Sequence, residues 1–190
     1  RDWGVSRGLG DVYKRQLCIF PFIRSLLPIQ TEKNITLSAY TGLWHQVATS
    51  RSTALLGTGI DYTNVSALYN ITNTSDLSVF NHGYDGNNVE TSIQGYSYAN
   101  KNTPTKRKVH FQGVPVDGNY WIAKLGPIQN KQYQYAIVCG PIHPLFGTRF
   151  SLYVLARNKQ EYIQKYKNYV KKWCEDNFFI FYWNQYISTI

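Results

Sequence analysis

The sequence contains no methionine and only three cysteines, and charged residues make up only 16% of its 190 residues. Without methionine it holds no initiating residue, which predicts that the native N-terminus is missing. No two histidines have helical metal-ligand spacing and no cysteine pair has CxxC spacing, so the common zinc motifs are excluded.

The apolar stretch at 17–30 is interrupted by two prolines and an arginine. It is therefore too short and too broken to span a membrane.

Aromatic residues are abundant. They make up 16% of the chain, with 16 tyrosines and 5 tryptophans, and the hydrophobic content is 43%. This content is sufficient for the core of one ordinary domain, which argues against disorder. Aromatic and β-branched residues fit a half-buried pleated sheet, so the composition favours β structure.

The formal net charge of +9 would ordinarily suggest nucleic acid or an anionic membrane as a partner. The basic residues gather at 106–108, where a strand is predicted to start, and along 165–172, on the outer face of a predicted helix. This distribution predicts an ordinary solvated surface. We therefore expect no nucleic-acid partner.

The N-terminal stretch 6–16, SRGLGDVYKRQ, resembles the translation of a transposase adapter used in sequencing-library preparation. We expect 1–16 to be a scar rather than native sequence, and such scars are set aside before the fold is considered. Its four basic and two acidic residues account for part of the charge, which falls from +9 to +7 without them. We expect 17–33 to be a leader remnant or a disordered N-terminal segment, and 34–190 to form one domain.

From Leu37 onward, short segments of alternating polarity are separated by turn-rich stretches. The segments are LWHQVATS, DYTNVSALYNI, DLSVFNHGY, VETSIQGYSYA, KRKVHFQGV, NYWIAKLG, QYQYAIVCG and RFSLYVLAR. About eight strands at this spacing predict an antiparallel sandwich or a closed barrel.

Residues 158–175 have helical periodicity instead. The apolar residues of one helix face are Tyr162, Ile163, Tyr166, Tyr169, Val170, Trp173 and Cys174. Asn158 followed by Glu161 predicts an N-cap with a capping-box partner. We expect this helix to pack on the outside of the sheet, and the apolar run FFIFYW at 178–183 to return as a short closing strand.

Five stretches resemble motifs of the lipocalin family in order and spacing. They are YTGLWHQVA at 40–48, SALYNI at 66–71, LSVFNHGY at 77–84, YQYAIVCGP at 133–141 and LYVLAR at 152–157. Within the family, the chain resembles the subgroup of apolipoprotein D, the bacterial outer-membrane lipocalins and the plant temperature-induced lipocalins. The resemblance implies an all-β fold, an eight-stranded antiparallel up-and-down β-barrel with one C-terminal α-helix packed outside and a short closing strand.

Three residues form the structural signature that this resemblance implies. Gly42 allows a tight turn into the first strand because it has no Cβ. Trp44 points into the closed end of the barrel, where Arg157 lies over its ring. We expect all three to determine the fold rather than to contact a ligand.

Strand alternation extends this placement along the last strand. If Arg157 reaches inward, the odd-numbered residues before it share its face. The residues predicted to face inward are Arg149, Ser151, Tyr153 and Leu155, and those predicted to face outward are Phe150, Leu152 and Val154.

The resemblance also places Tyr69 and Asn81 inside the barrel. Together with Tyr153 they would line a mostly apolar pocket with a few polar groups, which suits an amphipathic small molecule. The alternative is that the tyrosines simply fill a narrow barrel.

The long connection at 50–60, SRSTALLGTGI, corresponds to the segment that folds over the open end of lipocalin barrels. Leu55 and Leu56 lie beside Gly57 and Gly59, which fits an apolar lid with mobile hinges. The two leucines could equally contact a membrane or a partner.

The resemblance implies non-catalytic binding and transport of a small hydrophobic ligand, such as a fatty acid or lysophospholipid, with no cofactor. One alternative is a membrane-associated lipid-repair or stress-protection lipocalin that docks on bilayers through Leu55, Leu56 and the basic helix face. The other is a haem-binding or enzyme-like lipocalin. We expect a secreted, periplasmic or outer-membrane location.

Few histidines or cysteines are candidates for the site of a haem-binding or enzyme-like lipocalin. His45 and His110 are the proposed haem ligands, although alternation from Trp44 turns His45 outward. The prostaglandin-isomerising lipocalins use a cysteine on an early strand, whereas this chain has none between Cys18 and Cys139. The resemblance implies Cys18 to Cys139 as the first disulfide to test.

Overall fold

The computed structural model describes residues 29–50, 62–73, 75–141, 150–177 and 186–188. Several predictions concern residues outside this set, and they stay predictions. They are the scar at 1–16, most of the segment 17–33 with Cys18, the lid residues Leu55 and Leu56, Arg149, and the apolar run at 178–183.

The described residues form strands over most of their length. The strands are β1 (Gly42–Ser50), β2 (Thr63–Ile71), β3 (Leu77–Tyr84), β4 (Glu90–Ala99), β5 (Lys106–Phe111), β6 (Gly118–Leu125), β7 (Ile128–Gln129), β8 (Gln132–Tyr133), β9 (Tyr135–Pro141), β10 (Phe150–Ala156) and β11 (Tyr186–Ser188). A one-turn helix, α1 (Leu37–Tyr40), precedes β1. The C-terminal helix, α2, consists of Lys159–Glu161, a π-helical stretch Tyr162–Tyr166, and Lys167–Asn177.

Eight of these strands close into an antiparallel barrel. The order is β1-β2-β3-β4-β5-β6-β9-β10, and β10 pairs with β1 to close the ring. The predicted barrel with a C-terminal helix outside is confirmed. The short strand β11 pairs with the end of β1 at Ala48–Ser50, so a short closing strand is present at 186–188, and the run 178–183 lies outside the described residues.

The barrel has two ends. The closed end carries α1, the start of β1 and the end of β10, and the open end carries the last residues of β1 and the first of β10. The 51–61 and 142–149 connections at the open end lie outside the described residues.

The interior core follows from strand alternation. Paired residues on neighbouring strands share a face, so every second residue of each strand points into the barrel. The buried interior residues are Ala39, Tyr40, Trp44, Ala67, Tyr69, Leu77, Val79, Tyr120, Ile122, Leu125, Tyr133, Ala136, Val138 and Leu155. Aromatic rings fill much of the closed half.

A second core lies outside the barrel, under α2. Tyr162, Val170 and Cys174 of the helix pack against residues of β1, β9 and β10 that include Leu152 and Val154. The alternation predicted for β10 agrees with this arrangement, because Leu155 and Tyr153 pack with the interior core and Leu152 and Val154 with the outer one.

The face of α2 differs in part from the predicted one. Ile163 and Tyr169 are exposed, although both were assigned to the apolar face. The π-helical stretch Tyr162–Tyr166 has a different number of residues per turn from an α-helix, and the helix residues in the outer core are Tyr162, Tyr166, Val170, Trp173 and Cys174. The predicted N-cap is present, because the Glu161 backbone N–H donates to Asn158 Oδ1 over 2.9 Å.

The described part of the 17–33 segment, residues 29–33, contacts the barrel through Glu32. Its carboxylate accepts hydrogen bonds from Lys124 Nζ and from the backbone N–H of Leu125, and its carbonyl accepts one from Thr105 Oγ1. No helix in the described residues is long and apolar enough to cross a membrane.

Candidate functional site

The closed end is built around Trp44 and Arg157. The guanidinium carbon of Arg157 lies 3.7 Å from the centroid of the Trp44 ring. Trp44 is completely buried, and its indole N–H donates to the Tyr40 carbonyl over 2.8 Å. Burial lowers the pKa of Arg157 to about 10, so its guanidinium stays charged at neutral pH.

Arg157 also ties α1 to the barrel through backbone carbonyls. Its side chain donates to the carbonyl oxygens of Ala39, Tyr40, Thr41, Leu43 and Tyr133 at distances between 2.7 and 3.2 Å. The backbone of Gly42 lies next to the Arg157 guanidinium and has φ +96°. A Cβ at this position would lie 3.3 Å from Arg157 Nη1. Position 42 therefore favours glycine for its conformation and for the space it leaves.

The hydroxyls of three tyrosines are hydrogen-bonded to one another inside the barrel, and one of these rings, Tyr40, contacts Trp44. The hydroxyls of Tyr40 and Tyr120 are 2.6 Å apart, and Tyr69 donates to the Tyr120 hydroxyl over 2.9 Å. We call Tyr40, Tyr69 and Tyr120 the tyrosine cluster. Tyr69 was predicted to line the ligand pocket, and the structure places it inside the barrel with its hydroxyl bonded to this cluster. Tyr40 and Tyr120 were not identified from the sequence.

Asn81 faces the barrel interior from β3. It follows Leu77 and Val79 on the same face and lies opposite the buried Ala67 of β2. Its Oδ1 is buried and has no hydrogen-bond partner in the described part of the chain. An unsatisfied buried carbonyl costs about 1–3 kcal/mol, so this oxygen is suited to accept a hydrogen bond from a ligand or a water molecule.

Tyr153 faces the same interior from β10. It lies opposite Val138 of β9 and packs against the interior core. Burial raises the pKa of its hydroxyl to about 12, so the side chain is neutral at physiological pH. Asn81 lies beyond Val79 in the direction of the open end, and Tyr153 lies on the open-end side of Leu155. Both therefore stand nearer the mouth of the barrel than the tyrosine cluster.

The buried tyrosines predict a loss of stability at high pH. Burial raises the pKa values of Tyr69 and Tyr153 from 10.0 to about 12. Above pH 10 the unfolded chain releases phenolic protons that the folded chain retains, so the stability from these groups is complete below pH 10 and is lost as the pH rises to 12. We expect tyrosinate absorbance and circular dichroism to change together in this window.

A matched pair of variants tests the source of this transition. Tyr153→Phe should move the midpoint of alkaline unfolding to higher pH, because one buried hydroxyl no longer has to ionise. Tyr96→Phe should leave the midpoint unchanged, because Tyr96 is exposed on the outer surface. Ionisation of every tyrosine while the circular dichroism stays native would contradict the assignment.

The histidines considered for haem lie on the outside of the barrel. His45 is paired with Ala156, which belongs to the outer core, and its pKa is lowered by burial and then by Lys159. His110 Nδ1 lies 2.8 Å from Asp117 Oδ1 on the outer face of β5. Within the described ranges, no group of three or more histidine, cysteine, aspartate or glutamate side chains is placed to hold a metal ion.

The two described cysteines are buried in the outer core as free thiols. Cys139 of β9 and Cys174 of α2 both lie where the helix packs on the barrel. Burial raises the pKa of both thiols, that of Cys174 to about 12, so neither is reactive at neutral pH. The Cys18 to Cys139 disulfide stays a prediction, because Cys18 lies outside the described residues.

The basic cluster at 106–108 is not an ordinary solvated surface. Arg107 is only 1% exposed and is paired with Tyr120 inside the barrel, whereas Lys106 and Lys108 point outward. The expectation for Arg107 was therefore wrong. Strand alternation could have indicated that Arg107 faces inward, because Arg107, Val109 and Phe111 lie on the same face of KRKVHF.

The basic face of α2 is partly neutralised within the helix. Lys165, Lys171 and Lys172 form ion pairs with acidic residues four positions away in sequence. Exposed pairs of this kind contribute little stability, but they reduce the local positive charge that a membrane would attract.

Comparison with known proteins identifies the family. Residues 35–182 match the family model described as a lipocalin-like domain. This chain belongs to the lipocalin family. The comparison with curated protein sequences gives no match. Membership of the apolipoprotein D subgroup stays a prediction.

Solved lipocalin structures resemble this chain in fold. Apocrustacyanin C2 is 14% identical with a TM-score of 0.60, over 82% of this chain and 79% of that one. H1 crustacyanin from the lobster Homarus americanus is 14% identical with a TM-score of 0.56, over 88% and 84%. The tryptamine complex of the amine binding protein of Rhodnius prolixus is 15% identical with a TM-score of 0.54, over 86% and 85%. At these identities the likeness shows the fold alone.

Proposed function

We propose that this lipocalin binds and carries a small hydrophobic ligand in the open half of its barrel, without catalysing a reaction. The observation that carries the proposal is the buried Asn81 Oδ1, which points into the barrel with no hydrogen-bond partner among the described residues. Eight-stranded barrels of this family are wide enough to hold one small ligand. The amine binding protein of Rhodnius prolixus, a structural neighbour, was solved with tryptamine.

The interior favours a ligand with one polar end. The tyrosine cluster occupies the closed half, so the ligand would rest on Tyr69 rather than displace it. The wall above it includes the apolar residues Ala67 and Val138, the polar residues Gln46 and Thr49 of β1, and the two polar side chains assigned to the pocket, Asn81 and Tyr153. An apolar chain would gain about 25 cal/mol for each Å² that it buries, and the two polar side chains would orient its head group. A fatty acid or a lysophospholipid has this form.

Binding of a fluorescent fatty-acid probe tests the proposal. We expect Asn81→Ala to raise the dissociation constant about 2- to 10-fold, the value of one hydrogen bond. Tyr153→Ala should weaken binding as well, because it removes both the apolar ring and the hydroxyl. Neither variant should unfold the barrel, as judged by circular dichroism.

Asn70→Ala is the matched control, because Asn70 follows the inward Tyr69 on β2 and is exposed. Its titration curve should equal that of the unmodified protein. Unchanged curves for both Asn81→Ala and Tyr153→Ala would overturn the pocket assignment. With the unmodified protein, competition of lysophospholipid and of tryptamine against the fatty-acid probe would rank the affinities of these ligand classes.

A further inference from the structure

A cavity lies at the closed end of the barrel. Its volume is about 350 Å³. The walls come from the segment before β1, the β2–β3 turn and the β4–β5 turn. They include Ile35, Leu37, Ser75, Lys101, Pro104 and Arg107. We call this space the closed-end cavity. Its volume is near the lower limit for small-molecule sites, so it suits a compact ligand.

The charged group at this cavity is the buried guanidinium of Arg107. Its Nε donates to Ser97 Oγ over 2.9 Å, and its Nη2 donates to the carbonyl oxygens of Ser97 and Ser75 over 2.8 and 2.7 Å. Nη1 makes one long contact, 3.4 Å to the Pro104 carbonyl. A guanidinium has five donor hydrogens, so these four hydrogen bonds leave one hydrogen of Nη1 without an acceptor among the described residues, next to Pro104 in the cavity wall.

No acidic side chain among the described residues forms an ion pair with Arg107, and its hydrogen bonds all go to neutral oxygens. Burial lowers the pKa of Arg107, an effect that Asp76 and the buried tyrosines only partly oppose. A buried charge is costly unless it is paired, and arginine pairs best with a carboxylate or a phosphate.

The other lining residues indicate which kind of anion fits. Lys101 adds a second positive charge, and the described lining contains no acidic residue. Ile35 and Leu37 supply an apolar wall beside these cations. The cavity thus presents cations and hydrocarbon together, which suits an anion with an apolar group better than an inorganic ion.

We propose that the closed-end cavity binds a small amphipathic carboxylate. Its carboxylate accepts hydrogen bonds from Arg107 Nη1 and lies near Lys101, and its short hydrocarbon chain packs on Ile35 and Leu37. This site lies at the closed end rather than in the open half of the barrel, and it does not depend on the ligand proposed there.

The test uses the whole chain and three probes: hexanoate, 1-hexanol and inorganic phosphate. Backbone amide shifts are followed by NMR during titration. We expect hexanoate to shift the amides of Ser75, Ala99 and Lys101, and we expect 1-hexanol and phosphate to bind more weakly at these positions. Equal binding of 1-hexanol would overturn the role of the charge, and equal binding of phosphate would overturn the role of the apolar wall.

Three variants separate the cavity from general surface charge. Arg107→Lys keeps the charge but loses the planar donor group, and it should weaken hexanoate binding at least about 10-fold. Lys101→Gln should weaken it about 2- to 5-fold, as for an exposed ion pair. Lys108→Gln removes one positive charge on the outward face of β5 and should leave binding unchanged.

The outcomes are distinct from those of the fatty-acid test. Hexanoate shifts at Asn81 and Tyr153 instead of Ser75 and Lys101 would place the carboxylate in the barrel interior and overturn the closed-end site. If Arg107→Lys loses its fold, the hexanoate affinities of Lys101→Gln and Lys108→Gln are compared instead. Equal affinities for these two variants would overturn the proposal.

Discussion

Truncating Trp44 to alanine is expected to lower the free energy of unfolding by about 3–5 kcal/mol, the range for deleting a large buried side chain. The ring is fully buried between the interior core and the Arg157 guanidinium, and its N–H is bonded to the Tyr40 carbonyl. The substitution leaves a cavity, removes the cation–π contact and removes one of the two hydrogen bonds that the Tyr40 carbonyl accepts. Urea unfolding followed by circular dichroism measures the loss.

Trp121→Ala is the control for tryptophan truncation in general. Trp121 faces outward on β6, is only partly buried, and has Lys106 Nζ 5.0 Å from its ring centroid. Its loss should cost less than half of the Trp44 value, since solvent already reaches the side chain. Equal midpoints for Trp44→Ala and the unmodified protein would contradict the structural role of Trp44.

Arg157→Leu is expected to have the second largest effect, a loss of about 2–4 kcal/mol from the charged hydrogen bonds and the cation–π contact together. The leucine removes the Arg157 donors from the carbonyls of Tyr40, Thr41 and Leu43, of which Tyr40 keeps the Trp44 indole N–H and Thr41 keeps Gln132 Nε2. Because α1 and β1 are then held less firmly to the end of β10, the closed end should open before the rest of the barrel. Hydrogen exchange of amides near Tyr40 would report this local opening.

Arg157→Lys separates charge from geometry. Lysine keeps the positive charge but cannot reach five carbonyls with a planar fork of donors, so it should recover only part of the stability. A double-mutant cycle with Trp44→Ala isolates the contact between the two side chains, with an expected coupling of about 0.5–2 kcal/mol. Full stability in Arg157→Leu would show that the carbonyls find other donors.

Much of the architecture was predictable because each strand is a local pattern. Alternation identifies strand and face from adjacent residues, so the eight barrel strands and the two sides of β10 followed from short stretches such as 150–156. The N-cap at Asn158 was predictable for the same reason, since it involves one turn of chain. The exposure of Ile163 and Tyr169 was not, because a π-helical stretch changes the residues per turn and has no marked sequence signal.

The candidate sites were predictable only in part. The lipocalin resemblance placed Tyr69 and Asn81 inside the barrel and strand alternation placed Tyr153 there, but neither could say which of them would find a hydrogen-bond partner. Arg107 shows the opposite error, because its two lysine neighbours made a buried arginine look like part of a solvated patch. In both cases the missing information was the identity of the residues across the barrel.

The sequence by itself determined the order of strands and helix and the face on which most strand residues lie, and its resemblance to the lipocalins supplied the closed-end pair of Trp44 and Arg157. These features depend on spacing between neighbours along the chain or on motifs quoted directly from it. Only the tertiary structure decided that Tyr69 bonds to Tyr120, that Arg107 is buried among carbonyls, and that Asn81 Oδ1 has no described partner. Barrel closure brings together residues that are distant in sequence, and hydrogen bonding between them depends on distances that a linear pattern does not contain.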